Sequence, residues 1–155
     1  MGFYQFRQKQ LIPAGLDQVW NFISNPANLS KITPPGMDFT ITSESEGEMY
    51  PGQIISYKVK PLFNIPTTWV TEITHVKEKH YFVDEQRIGP YQMWHHEHFL
   101  KEVPGGVEMM DIISYQPPLG FLGAIANRLI IKKKLAQIFA YRKAALETMF
   151  GKQDV

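Results

Sequence analysis

Three side chains near the middle of the chain could do chemistry together. They are Trp94, His96 and His98, within Gly89-Pro90-Tyr91-Gln92-Met93-Trp94-His95-His96-Glu97-His98-Phe99. Residues two apart on a strand share a face, so one large aromatic ring and two imidazoles would line up on one surface. Imidazole can ligate a metal, move a proton near neutral pH, or hydrogen-bond a ligand. Its neighbours decide which. A hairpin centred on Pro104-Gly105 sets His98 opposite Asp111, His96 opposite Ile113, Trp94 opposite Tyr115 and Leu100 opposite Met109. A bulge at that turn would shift every pair by one. On the preceding strand Phe82, Asp84 and Gln86 alternate onto the inward face, and Trp69, Thr71 and Ile73 form the inward set before that. The expected concave face is apolar with a polar seam of Asp84, Gln86, His96, His98, Asp111 and Tyr115.

Four chemistries are open to this seam. A buried carboxylate needs a donor, and imidazole supplies one, so a His98–Asp111 pair could be purely structural. The same residues could orient a ligand, with Trp69, Trp94 and Tyr115 as walls and Asp84, Gln86, His96 and His98 giving direction. An imidazole beside Asp84 or Asp111 could act as a general base that enolises a carbonyl, which makes His96, His98 and Asp111 the catalytic candidates. No nucleophile motif accompanies them. Two histidines at i and i+2 plus one aspartate could chelate zinc, but nothing else in the chain supports a metal, and neither metal nor cofactor is expected.

The elements that must position these groups follow from periodicity. Phe3 to Ile12 reads as a strand ending at Pro13. Leu16, Val19, Trp20 and Ile23 sit at helical spacing, and Asn25-Pro26 stops that helix. Ala27 to Ile32 has room for one more helical turn before Thr33-Pro34-Pro35-Gly36. The period then becomes two. Strands are expected at 39–42, 53–60, 67–76, 80–87, 91–102 and 106–115, with a polar, acidic connection from Glu44 to Pro51. After Pro117-Pro118, Leu119 to Phe150 has helical spacing and Gly151 as its stop. Its expected sheet-facing stripe is Leu122, Ile125, Leu129, Lys132, Leu135, Phe139, Arg142 and Leu146, with Arg142 in reach of a ligand carboxylate or a salt bridge to the sheet. Six consecutive strands imply an antiparallel meander. With the first strand they make a seven-stranded curved sheet gripping one long helix, an α+β domain over 1–155 with a cavity between its layers.

Composition narrows the function classes. The 155 residues suit one domain, and 44% apolar with 20% charged is ordinary for a globular chain. Aromatics reach 13%, enough to line a pocket with rings. A net charge of +1 gives no global field for nucleic acid, so none is expected as a partner. There is no cysteine, which excludes disulfides and a thiolate nucleophile. No signal peptide and no stretch long enough for membrane insertion are read, so a cytoplasmic location is expected. Pro61 to Pro66, with Leu62, Phe63 and Ile65, could be a lid or a homodimer contact, and Lys132-Lys133-Lys134 a solvated helix face or one that touches anionic lipid or nucleic acid.

Several motifs in order carry a family resemblance. They are Ile12-Pro13…Val19-Trp20-Asn21-Phe22, Asn28-Leu29-Ser30-Lys31-Ile32-Thr33-Pro34-Pro35, Phe82-Val83-Asp84-Glu85-Gln86, Gly89-Pro90-Tyr91…Trp94…His96…His98, Asp111…Tyr115 and Pro118-Leu119-Gly120…Phe139-Ala140-Tyr141-Arg142. The chain resembles the START/Bet v 1-like (SRPBCC) superfamily of helix-grip proteins over nearly its whole length. Within it, the chain is similar to a bacterial branch described as polyketide cyclase/dehydrase and lipid transport-like, or cell-division-inhibitor-related. Leu100 departs from the Phe that relatives often carry. The resemblance implies a cavity for a small, largely apolar ligand such as a lipid or polyketide-like molecule, and it carries over no catalytic residue. Carriage or sensing of such a ligand is the expected function. A cyclase- or dehydratase-like enzyme using a His/Asp pair and a protein-interaction module are the alternatives.

Overall fold

The computed structural model describes residues 2–43 and 47–152, so Glu44 to Glu46 of the acidic connection lie outside the described residues. The chain runs β1 (Tyr4–Ile12), α1 (Leu16–Ile23), two 3₁₀ segments (Pro26–Ile32 and Pro35–Met37) and β2 (Thr40–Ile41). Five longer strands follow: β3 (Ile54–Val59), β4 (Thr67–Lys77), β5 (Tyr81–Ile88), β6 (Met93–Val103) and β7 (Gly106–Gln116). The seven strands form one sheet in the order β1-β7-β6-β5-β4-β3-β2, with every neighbour antiparallel. This is the seven-stranded α+β architecture expected.

Turn chemistry sets the register that matters most. Pro104-Gly105 closes a two-residue turn, and β6 and β7 pair His98 with Asp111, His96 with Ile113 and Trp94 with Tyr115. The β4–β5 ladder shifts register twice, with Arg87 as the extra residue of β5 and Thr74 as the extra residue of β4, and such bulges bend a sheet. At the β7 entrance Gly106 has φ +147°, and a Cβ there would lie 2.1 Å from the Ile12 carbonyl oxygen. Gly106→Ala is therefore expected to cost about 2 kcal/mol in urea unfolding. A change below about 0.5 kcal/mol would show that β1 and β7 can part there without strain.

The long helix corrects one expectation. It runs as α2 (Gly120–Ala126), a π-helical turn (Asn127–Ile131) and α3 (Lys132–Phe150). The residues it buries are Gly123, Asn127, Ile131, Leu135, Phe139 and Leu146. Of the expected stripe, Leu122, Ile125, Leu129 and Lys132 instead face outward, while Leu135, Phe139 and Leu146 face the sheet. Two contacts set the phase. Gly123 packs so closely that a Cβ would lie 2.0 Å from the Pro118 carbonyl oxygen. The Tyr115 hydroxyl donates to buried Asn127 Oδ1 at 2.7 Å, inside the π turn. A π turn takes an extra residue, so an α-helical wheel drawn through it loses register.

The helix is gripped by side chains of β1. Gln8 and Gln10 project inward and donate through Nε2 to the Phe139 and Lys143 carbonyls at 2.9 and 3.0 Å. Two apolar clusters fill the space between sheet and helix. One gathers Val19, Trp20, Phe82, Leu100 and Leu146; the other gathers Trp69, Tyr91, Ile113, Tyr115 and Phe139.

Candidate functional site

Strand alternation brings His96 and His98 inward from β6, Asp84 from β5 and Asp111 from β7, all beneath Arg142 of α3. The two imidazoles lie against each other, tilted by 36°, with ring centroids 3.7 Å apart. Each lies between the two carboxylates. His98 Nε2 donates to Asp84 Oδ2 at 2.8 Å, and its Nδ1 lies 3.0 Å from Asp111 Oδ1. His96 Nε2 donates to Asp111 Oδ1 at 3.0 Å, while its Nδ1 stands 3.6 Å from Asp84 Oδ2. Phe82 stacks on His98 at 4.1 Å.

This geometry assigns the protons. His98 Nε2 donates to Asp84 and its Nδ1 lies beside Asp111 Oδ1, so both carboxylates favour the protonated ring. Burial alone would lower its pKa, but the bonds to Asp111 and Asp84 raise it above the ordinary value. His96 is neutral: burial, then the His98 charge beside it, lower its pKa to about 4. Burial would raise Asp111 and Asp84, yet the histidine bonds hold both below the usual carboxylate range. Arg142 Nη1 approaches Asp111 Oδ1 at 4.0 Å. Two carboxylates thus balance one imidazolium and one guanidinium, and the buried cluster is neutral as a whole.

The cluster lies where two lobes of a cavity meet. The lobes measure about 730 and 820 Å³, their open mouths included, and share Leu29, Phe39, Tyr57, Asp84, His98 and Arg142. Apolar residues such as Phe22, Ile55, Ile73 and Met109 line the first lobe. Rings dominate the second: Trp69, Tyr91, Trp94 and Phe139. Trp69 and Trp94 meet edge to face at 5.2 Å.

Eight of the ten residues expected at the site line one lobe or the other: Trp69, Asp84, Trp94, His96, His98, Asp111, Phe139 and Arg142. Gln86 and Tyr115 do not. Gln86 spends its amide on the Tyr91 backbone, donating to the carbonyl at 2.7 Å and accepting from the N–H at 3.2 Å. Tyr115 sits behind Tyr91 and Trp94 and gives its hydroxyl to Asn127. Tyr57, Phe39 and Leu29 are lining residues that sequence reading did not single out. For Tyr57 a signal existed, because the alternation Ile55, Tyr57, Val59 marks the inward face of β3.

Asp84, His96 and His98 place three ligand-type atoms within 4.8 Å of one another, close enough to hold a metal ion. Asp84 Oδ2 and His98 Nε2 are already bonded to each other, and Arg142 repels an incoming cation. A metal would have to displace both the proton of His98 and its hydrogen bonds.

No protein-family model matches the chain, and no curated protein matches it in sequence. Solved structures do match in fold. A protein from Chromobacterium violaceum superposes with a TM-score of 0.73 at 10% identity, over 96% of this chain and 99% of that one. Major latex-like protein 151 from Panax ginseng gives 0.69 at 11% identity, over 96% and 97%. Ara h 8.0201 gives 0.62 at 13% identity, over 95% and 99%. At such identities the likeness is one of fold. The chain has the Bet v 1-like helix-grip fold that its motifs resemble.

Proposed function

We propose that the cavity carries or senses one small, largely apolar molecule, a lipid or polyketide-like compound with an oxygen acceptor at its polar end. One observation carries this. Arg142 Nε is buried and meets no hydrogen-bond partner among the described residues, at the junction of the two lobes. A buried guanidinium donor without an acceptor costs on the order of 1–3 kcal/mol, which a ligand oxygen would recover. Apolar walls on both sides supply the remaining affinity. The proposal takes the chain as a single cytoplasmic domain of the bacterial polyketide cyclase/dehydrase and lipid transport-like branch, on the strength of its motif order.

Native mass spectrometry of the purified protein should show a bound small molecule. 1-Anilinonaphthalene-8-sulfonate should bind in the cavity and quench Trp69 and Trp94. Arg142→Lys, which keeps the charge but lacks the Nε donor, should weaken that binding about tenfold. No co-purified molecule together with unchanged probe binding in the variant would overturn the proposal.

An enzyme is the second reading, favoured by His96 Nδ1, which is beyond hydrogen-bond distance of Asp84 in a neutral ring. Such a nitrogen can accept a proton from a substrate carbon in the second lobe. Replacing His96 and His98 with Gln would then abolish turnover, whereas a carrier would lose only affinity and stability.

A further inference from the structure

The start of the long helix carries an unusual surface. Leu119 and Phe121 are 75% and 73% exposed, and Leu122, Ile125 and Leu129 are more than half exposed. The β3–β4 loop adds Phe63 and Ile65, at 69% and 59%. Phe63 and Asn64 both take left-handed backbone angles, a tight turn that holds Phe63 outward. Leu62 of this loop packs in the same cluster as Ile131 and Leu135, and Pro61 lines the same lobe as Lys134. The loop therefore lies beside the helix at Ile131 to Leu135, just beyond its exposed apolar start.

The charge carried by these segments has one sign, and Asp38, which lies beside the loop, is paired with Lys60. The helix continues into exposed Arg128, Lys132 and Lys133 and half-buried Lys134. No Asp or Glu occurs from 112 to 146, from 61 to 66, or from 89 to 92, in a chain whose overall charge is only +1. Outward Leu122, Ile125 and Leu129 lead down the helix into Lys132 and Lys133, so the apolar tip is backed by a cationic collar. Convex apolar side chains with lysines a turn or two behind them suit the boundary between acyl chains and anionic headgroups. A second copy of the chain would fit badly, because apposing two such ends would set cation against cation.

We infer that this end of the molecule, the Pro61–Pro66 loop with the helix from Leu119 to Lys134, docks on an anionic phospholipid bilayer. The docking is peripheral, since among the described residues no helix is long and apolar enough to cross a membrane. It stands apart from the occupant of the cavity.

Vesicle co-sedimentation tests it with the whole protein. Vesicles of phosphatidylcholine containing a quarter phosphatidylglycerol should bind the protein at least about tenfold better than phosphatidylcholine alone, and salt of about 0.5 M should remove the difference. Lys132→Glu with Lys133→Glu should weaken binding about tenfold or more, and so should Phe121→Ser with Leu129→Ser. These side chains are exposed, so circular dichroism and thermal unfolding should match the parent protein in both variants. Equal binding to both vesicle types, or none, would overturn the inference. So would a concentration-dependent dimer in sedimentation velocity that Phe121→Ser with Leu129→Ser disperses, without vesicle binding by the parent.

Discussion

Asp111→Ala should lower folding stability by roughly 3–5 kcal/mol, the largest single-site loss expected in this chain. Asp111 is 1% exposed, and its Oδ1 faces His96, His98 and Arg142 at once. Removing the carboxylate leaves an imidazolium and a guanidinium buried with only Asp84 to compensate them. It also strips an acceptor from both imidazoles. For a chain of this size the loss corresponds to roughly 10 °C or more in Tm. Asp111→Asn keeps an acceptor and loses only the charge, so it should cost less. If the charges act as one unit, Asp111→Asn with His98→Gln should cost less than the sum of the two single variants. Urea unfolding measures all of these. A cost below about 1 kcal/mol for Asp111→Ala would mean that the four side chains are neighbours without being a coupled network.

The His98–Asp111 pairing was legible because a two-residue turn and strict alternation leave little freedom. Pro104-Gly105 marks the turn, and the period of two then assigns every facing pair along β6 and β7. What alternation cannot show is ring geometry. His96 also bonds Asp111, and His98 also bonds Asp84, because two adjacent, tilted imidazoles at 3.7 Å present their nitrogens to both sides. Gln86 illustrates the opposite failure. It lies on the inward strand face as expected, but a long amide reaches the Tyr91 backbone in the adjacent loop, five residues away in sequence and invisible to period counting. The helix stripe failed for a third reason. An α-helical wheel assumes a constant 3.6-residue turn, and Asn127–Ile131 breaks it where Tyr115 and Gly123 demand contact. Its cost is visible on the surface: the apolar residues assigned to the core, Leu122, Ile125 and Leu129, form the exposed patch instead.

Stability should peak near pH 6.5 and fall on both sides, with the two histidines responsible for opposite limbs. The His96 pKa lies at about 4 in the folded protein against an ordinary 6.5. Between those values the unfolded chain takes a proton there that the folded protein refuses, so stability is lost as pH falls through this window. The shift corresponds to on the order of 3 kcal/mol by pH 4. Below that, Asp84 and Asp111 extend the loss, because their folded pKa values are depressed and the unfolded carboxylates protonate first. His98 has the reverse sign. Its folded pKa is raised, so its contribution is complete below pH 6.5 and fades as pH rises through the folded value. Tyr57 and Tyr91, both pushed upward chiefly by burial, enter only above their ordinary 10 and leave the window alone. Urea midpoints measured from pH 4 to pH 9 test this. His96→Gln should flatten the limb between 4 and 6.5 while leaving the alkaline limb, and His98→Gln should do the converse. An acid limb that survives His96→Gln would place the titrating group elsewhere and remove the reason for calling His96 the neutral member of the pair.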